Sequence, residues 1–244
     1  MNLNPFLPGY QYFEINFSSD LFISLTILII ILMFVYIYKI INFIELSLFL
    51  ISVFSILIIP FIITTNYFAD QIAYTNFVRE IRNGQSISTS SMILYSSYIY
   101  SFFPLPTPNS ISSFAMYNKL LIIILLIFLK QKSYLDSEGL ITLLIFPSLI
   151  LYSSVALREM LVLTFMITWL LLVMNKKYIF ALLVSLIFIL IKKQNFIFFS
   201  LFTFLHFYYF NYFLKINKKD IKFLFISFIL LILFIFFEDK IYYY

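Results

Sequence analysis

The chain has 244 residues, 63% of them hydrophobic and 11% charged, with a mean hydropathy of +1.03, so it lacks the polar residues that would cover a water-soluble globule of this size. Thirty-three Phe and nineteen Tyr against three Gly, in long unbroken apolar runs, also argue against a β-barrel, whose strands need polar lumen positions and many turns. The net charge of +5 lies mostly in lysines between apolar segments, which argues against a nucleic-acid partner, and the absence of cysteine excludes disulfides, thiolate metal sites and cysteine nucleophiles.

Lipid is therefore the expected solvent. The expected fold is all-α: a single polytopic transmembrane bundle over 1–244, with about eight spanning helices. The first twenty residues carry Glu14 and Asp20 and no basic end, so the first apolar segment reads as a retained span rather than a cleaved signal peptide. Spans are expected at 21–41 and 43–65, joined by a tight turn at Lys39–Asn42.

The segment 66–110 is the longest polar stretch, expected outside the membrane as a loop with a short amphipathic helix. Asp70, Tyr74, Phe77 and Ile81 recur on one helical face while Thr75, Arg79 and Arg82 lie on another, and Asn83–Gly84 ends the pattern. From Ser86 onward, Ser, Tyr and Ile followed by Pro104, Pro106 and Pro108 read as a loop or a re-entrant segment.

Further spans are expected at 112–129, 140–156, 157–174, 178–191, 196–214 and 221–237. The stretch 139–174 would run about 54 Å as one straight helix, too long for the hydrocarbon, so it is expected to turn at its only charges, Arg158 and Glu159, with Pro147 and Ser153–Ser154 loosening the approach. His206, the only histidine, reads as a packed or interfacial residue, and no metal site is expected.

With the amino terminus outside, the inner loops carry Lys39, Lys130, Lys132, Lys176, Lys177, Lys215, Lys218, Lys219 and Lys222. The outer set is Arg79, Arg82, Lys119, Arg158, Lys192, Lys193 and Lys240, a narrow inner excess. All three arginines fall outside, beside Asp70, Glu80 and Glu159, which makes the outer face the chemical one; ordinary interfacial charge pairing accounts for the same pattern.

Three groups carry candidate chemistry. Asp70, at the lip of the second span with Tyr74 one turn on, reads as a general base or as a helix-start carboxylate. Arg158 sits at an expected helix start, where guanidinium and free backbone N–H groups together suit phosphate; the alternative is a local pair with Glu159. Lys192, Lys193 and Gln194 offer a second polar cluster on the same face, or an ordinary loop. Nothing matches a P-loop, a dinucleotide turn, a Ser–His–Asp set or a metalloprotease helix.

In this order the clusters resemble the EpsG and Wzy-like bacterial polysaccharide polymerases, which are similar in design to the GT-C glycosyltransferases. The likeness rests on Asp70–Gln71–Ile72–Ala73–Tyr74 after Thr65–Asn66–Tyr67, on Ser153–Ser154–Val155–Ala156–Leu157–Arg158–Glu159, and on Lys192–Lys193–Gln194–Asn195. This chain departs from the family in having lysines at the third point, where a His is common, and Glu159 where a Gln is common.

The resemblance implies a multi-pass protein of the bacterial inner (cytoplasmic) membrane that acts in O-antigen or exopolysaccharide synthesis alongside partner proteins of the assembly system. It implies transfer of a glycan from one polyprenyl diphosphate to a sugar hydroxyl on another, on the extracytoplasmic side, with no cofactor. Arg158 and Asp70 would be catalytic. Tyr74, Arg79, Arg82, Glu159, Lys192, Lys193 and Gln194 would bind substrate, and aromatics such as Tyr95 and Tyr98 would hold the glycan. The alternatives are a GT-C transferase using a polyprenyl-phosphate sugar, and a transporter of lipid-linked glycans.

Overall fold

The computed structural model describes residues 19–62, 70–85 and 92–191, and every element among them is helical. The chain divides into two compact units after Thr164. The expected spans at 196–214 and 221–237, His206 and the cluster Lys192, Lys193 and Gln194 lie outside the described residues.

In the first unit, α1 (Ser19–Ile37) and α2 (Phe43–Ile62) flank the expected turn. The turn closes because Lys39 adopts a left-handed φ of 57°, which lets its N–H reach Tyr36 O at 2.8 Å and that of Ile40 reach Val35 O at 3.1 Å. Asn42 and Glu45 then cap α2 reciprocally: Glu45 N–H donates to Asn42 Oδ1 at 2.9 Å and Asn42 N–H to Glu45 Oε2 at 2.7 Å.

The central helix is α5 (Ile111–Gln131), capped by Ser110, whose Oγ accepts from Ser113 N–H at 3.1 Å. It packs against α1 and α2, and 83% of its apolar window is buried against 28% for α1, which puts α5 inside and α1 at the periphery. Asp20 Oδ2 accepts from Asn109 N–H at 2.9 Å, tying the starts of α1 and α5 together. At the other end Lys130 forms an ion pair with the buried Glu45. These contacts sort the unit into two ends, one holding Asp20 and Asn109, the other Lys39, Glu45 and Lys130. Among the described helices α1 and α5 are long and apolar enough to cross a membrane; α8 and α9, defined below, are apolar but shorter.

The polar segment is more helical than the sequence suggests. The amphipathic helix appears as α3 (Asp70–Arg82), closed by Gly84 at φ 71°, but its buried face is Gln71, Tyr74, Thr75 and Val78 rather than the expected Asp70, Tyr74, Phe77 and Ile81: Asp70 is exposed, and Thr75 is buried with its hydroxyl bonded to Gln71 O at 2.8 Å. The expected loop or re-entrant stretch after Ser86 instead contains α4 (Met92–Ser101), which packs on α3. No Gly or Pro interrupts α4, and its serines bond back to its own turns, Ser97 Oγ to Ile93 O at 2.9 Å and Ser101 Oγ to Tyr98 O at 2.6 Å. Pro104 and its neighbours end it, leaving carbonyls that the Arg82 guanidinium collects from Ser101, Phe103 and Leu105 while lying 5.3 Å over the Tyr117 ring.

The expected span at 140–156 is broken in two, α6 (Ser137–Ile145) and α7 (Pro147–Ser153). Phe146, preceding proline, is forced to extended backbone at φ −63°, ψ 116°, because proline's Cδ excludes the helical conformation there. After a second break, α8 runs Glu159–Met174. In the second unit Lys176, at φ 57°, closes α8, and α9 (Tyr178–Ile191) follows with Phe188 packed 6.4 Å from Phe165.

Candidate functional site

The second break, residues 154–158, organises the site. Ser154, Val155, Ala156 and Leu157 are all buried, so their backbone groups have to find partners inside the protein. Asn118 of α5, wholly buried, donates its two amide hydrogens to Val155 O and Leu157 O, each at 2.7 Å. Its Oδ1 accepts from Tyr100 OH at 2.6 Å, and the same phenol lies 3.2 Å from Leu157 O. Ala156 N–H donates to Gln71 Oε1 at 2.9 Å. Ser154 Oγ meets Ser55 Oγ of α2 at 2.8 Å. Four elements thus hold four unwound residues, Ser154 to Leu157.

Arg158 ends this segment as the last residue before α8, and its carbonyl accepts the helical N–H of Val162 at 2.9 Å. Glu159 is the acidic first residue of α8. Asp70 is the exposed first residue of α3, and Tyr74, one turn on, is buried with its ring stacked 6.3 Å from Phe114. The charges of Arg158, Glu159 and Asp70 all bear on the Tyr74 phenol, whose hydroxyl also bonds Ser96. Burial is the largest influence and pushes that phenol above its usual range, with the Arg158 cation opposing. Tyr74 is therefore a neutral O–H donor in any physiological medium. Asp70, Tyr74, Arg158 and Glu159 come from two distant stretches of sequence, which the hydrogen bond from Ala156 N–H to Gln71 Oε1 ties together.

The other candidates are placed differently. Arg82, at the far end of α3 and about 18 Å along its axis from Asp70, spends its guanidinium on the turn carbonyls and Tyr117. Arg79 donates to Asn76 Oδ1 at 3.0 Å. Tyr95 and Tyr98, 44% and 46% exposed, lie on an open face of α4 continued by Phe102.

Lys119 corrects the loop-charge assignment. It is fully buried within α5, donating to Ser153 Oγ at 2.7 Å, Ser52 Oγ at 3.1 Å and Ile150 O at 3.4 Å. These oxygens match the three hydrogens of an ammonium at the carboxyl end of α7, where the helix dipole favours a cation. Gln71, Tyr100, Asn118 and Lys119 were not expected at the site. For the last two a signal existed, since an Asn–Lys pair within an apolar segment is costly unless something uses it.

Chemically, the Arg158 guanidinium at the start of α8 suits an anion. The exposed Asp70 carboxylate offers a proton acceptor. Comparison with protein-family models, curated proteins and solved structures finds no match to this chain.

Proposed function

We propose that this chain is a polytopic membrane enzyme of about eight spans that joins polyprenyl-diphosphate-linked oligosaccharides, acting at the outer face of a bacterial cytoplasmic membrane. The observation that carries the reading is the hydrogen bond from Ala156 N–H to Gln71 Oε1 at 2.9 Å, which ties the segment before Arg158 to the residue after Asp70. It supports the resemblance to the EpsG and Wzy-like polymerases, which needs the acidic motif and the arginine motif near one another.

In this scheme an acceptor sugar hydroxyl attacks the anomeric carbon of the donor glycan. The new glycosidic C–O bond forms as the anomeric carbon–oxygen bond to diphosphate breaks. The diphosphate leaves with the electron pair, and Arg158 neutralises the charge that develops on it. Asp70 takes the hydroxyl proton. Arg82 is assigned no substrate contact, because its donors already serve the turn at Ser101–Leu105.

The test is the length distribution of surface glycan on gels, in cells lacking the protein and in cells restored with the natural or Arg158→Ala chain at equal membrane levels. Loss of the long ladder with single units still displayed, unrescued by Arg158→Ala, supports the polymerase. An unchanged ladder in the deletion strain rejects it and transfers weight to a single-sugar transferase or a transporter.

A further inference from the structure

We propose that Asn118 is a positioning residue for Arg158: by holding the unwound segment between α7 and α8 it fixes the backbone from which Arg158 projects, and so places the diphosphate-binding group. The functional half of this inference rests on the polymerase reading; the geometric half does not.

Unwound backbone in an apolar interior is sharply defined only if each polar group has a partner. The Val155 and Leu157 carbonyls each accept from one amide, at 2.7 Å, beside Leu157 N–H on Val155 O at 3.0 Å and the Tyr100 hydroxyl on Leu157 O at 3.2 Å. That amide cannot flip, because its oxygen would then face two carbonyl oxygens and lose the Tyr100 hydroxyl at 2.6 Å. Leu157 immediately precedes Arg158, so the constraint passes directly to the arginine. From the opposite side Gln71, next to Asp70, takes the Ala156 N–H at 2.9 Å, so the two halves of the site share one hydrogen-bonded strip. The neighbouring Lys119 fastens the carboxyl end of α7 to the same edge of α5. A shift of about 1 Å in a group that stabilises a transition state costs about a hundredfold in rate.

The chain has no cysteine, so a single introduced thiol can be followed without background. Arg158→Cys and, separately, Phe102→Cys, whose parent residue is 87% exposed at the end of α4, are each labelled by maleimide in membranes, in the full chain with and without Asn118→Asp. Asn118→Asp keeps the shape but replaces two donors by an oxygen facing two carbonyls.

The expected result is a severalfold change in labelling rate at position 158 and none at 102. No change at either position overturns the inference, and so does an equal change at both, which would mean that Asn118 serves the fold at large. If Asn118→Asp does not accumulate, Tyr100→Phe, which removes the hydroxyl orienting the amide, gives the same comparison.

In the glycan assay Asn118→Asp shortens the ladder about as far as Arg158→Lys and adds little to it in the double variant, because both act on one group. Additive effects overturn the assignment. A labelling change at 158 in cells whose ladder ignores Arg158 leaves Asn118 as the holder of Arg158 and removes the polymerase reading instead.

Discussion

At the residue scale, the proposed chemistry separates charge from shape. Arg158→Lys keeps the cation but loses the planar pair of donors that grips phosphate oxygens, so it should cut ladder length far more than the reverse change, Lys193→Arg; equal tolerance of the two would sink the role given to Arg158. Asp70→Asn should abolish glycan joining at unchanged membrane level, because Asp70 is exposed at a helix start and a neutral isostere there costs under about 1 kcal/mol. If that variant is lost from the membrane, the carboxylate is a cap and not a base. Lys119 sits among hydroxyl and carbonyl oxygens rather than carboxylates, so Lys119→Met should leave unfolding stability within about 1 kcal/mol, a buried ionic group being replaceable by an apolar one of similar volume. Lys119→Glu should prevent accumulation, since it buries an anion against those same oxygens. Immunoblots of membrane fractions and thermal unfolding in detergent separate the two.

At the element scale, four helices among the described residues end with the same closure, and glycine serves one of them. Gly84 takes the left-handed position after α3, whereas Lys39, Ser133 and Lys176 take it after α1, α5 and α8, at φ 57°, 58° and 57°. In each case the following N–H reaches back to the last helical turn, as Tyr134 N–H does to Leu129 O at 2.9 Å and Lys177 N–H to Leu172 O at 2.8 Å. A β-carbon in that conformation costs about 1 kcal/mol that glycine avoids. Lys39→Gly, Ser133→Gly and Lys176→Gly should therefore each raise unfolding stability by up to about 1 kcal/mol in detergent. A loss in all three would mean that the side chains, not the turns, hold these closures.

At the scale of the whole molecule, the Asp20–Asn109 contact and the Lys130–Glu45 ion pair mark opposite ends of the first unit. If the unit spans a bilayer, Tyr38 and Phe102, 72% and 87% exposed, lie on opposite sides. A membrane-impermeant maleimide on intact cells should then label Phe102→Cys and reach Tyr38→Cys only after permeabilisation. Labelling of both from one side would overturn this topology and the outer placement of the site.

The helical class, the turn at Lys39–Asn42, a helix from Asp70, the start of α8 at the Arg158–Glu159 pair and the start of α9 were legible in the sequence, because each rests on local physics: apolar run length, helical periodicity, a charge pair too costly to bury mid-span. Even the division of 140–156 had its signal in Pro147, although the run of apolar residues around it outweighed that signal. Only tertiary structure decided what local rules leave open. A run of Ser and Tyr becomes α4 because it has α3 to pack on. Lys119 becomes interior because Ser52, Ser153 and Ile150 O converge from two other helices. Arg82 becomes a turn clamp because three carbonyls are presented to it. The site itself is of this kind: hydrophobic patterning can say that Asp70 and Arg158 each lie at a helix start, but their nearness depends on Asn118, Gln71 and Tyr100 reaching the same unwound segment from three elements, and hydrogen bonds between residues so far apart in the chain leave no periodicity in it.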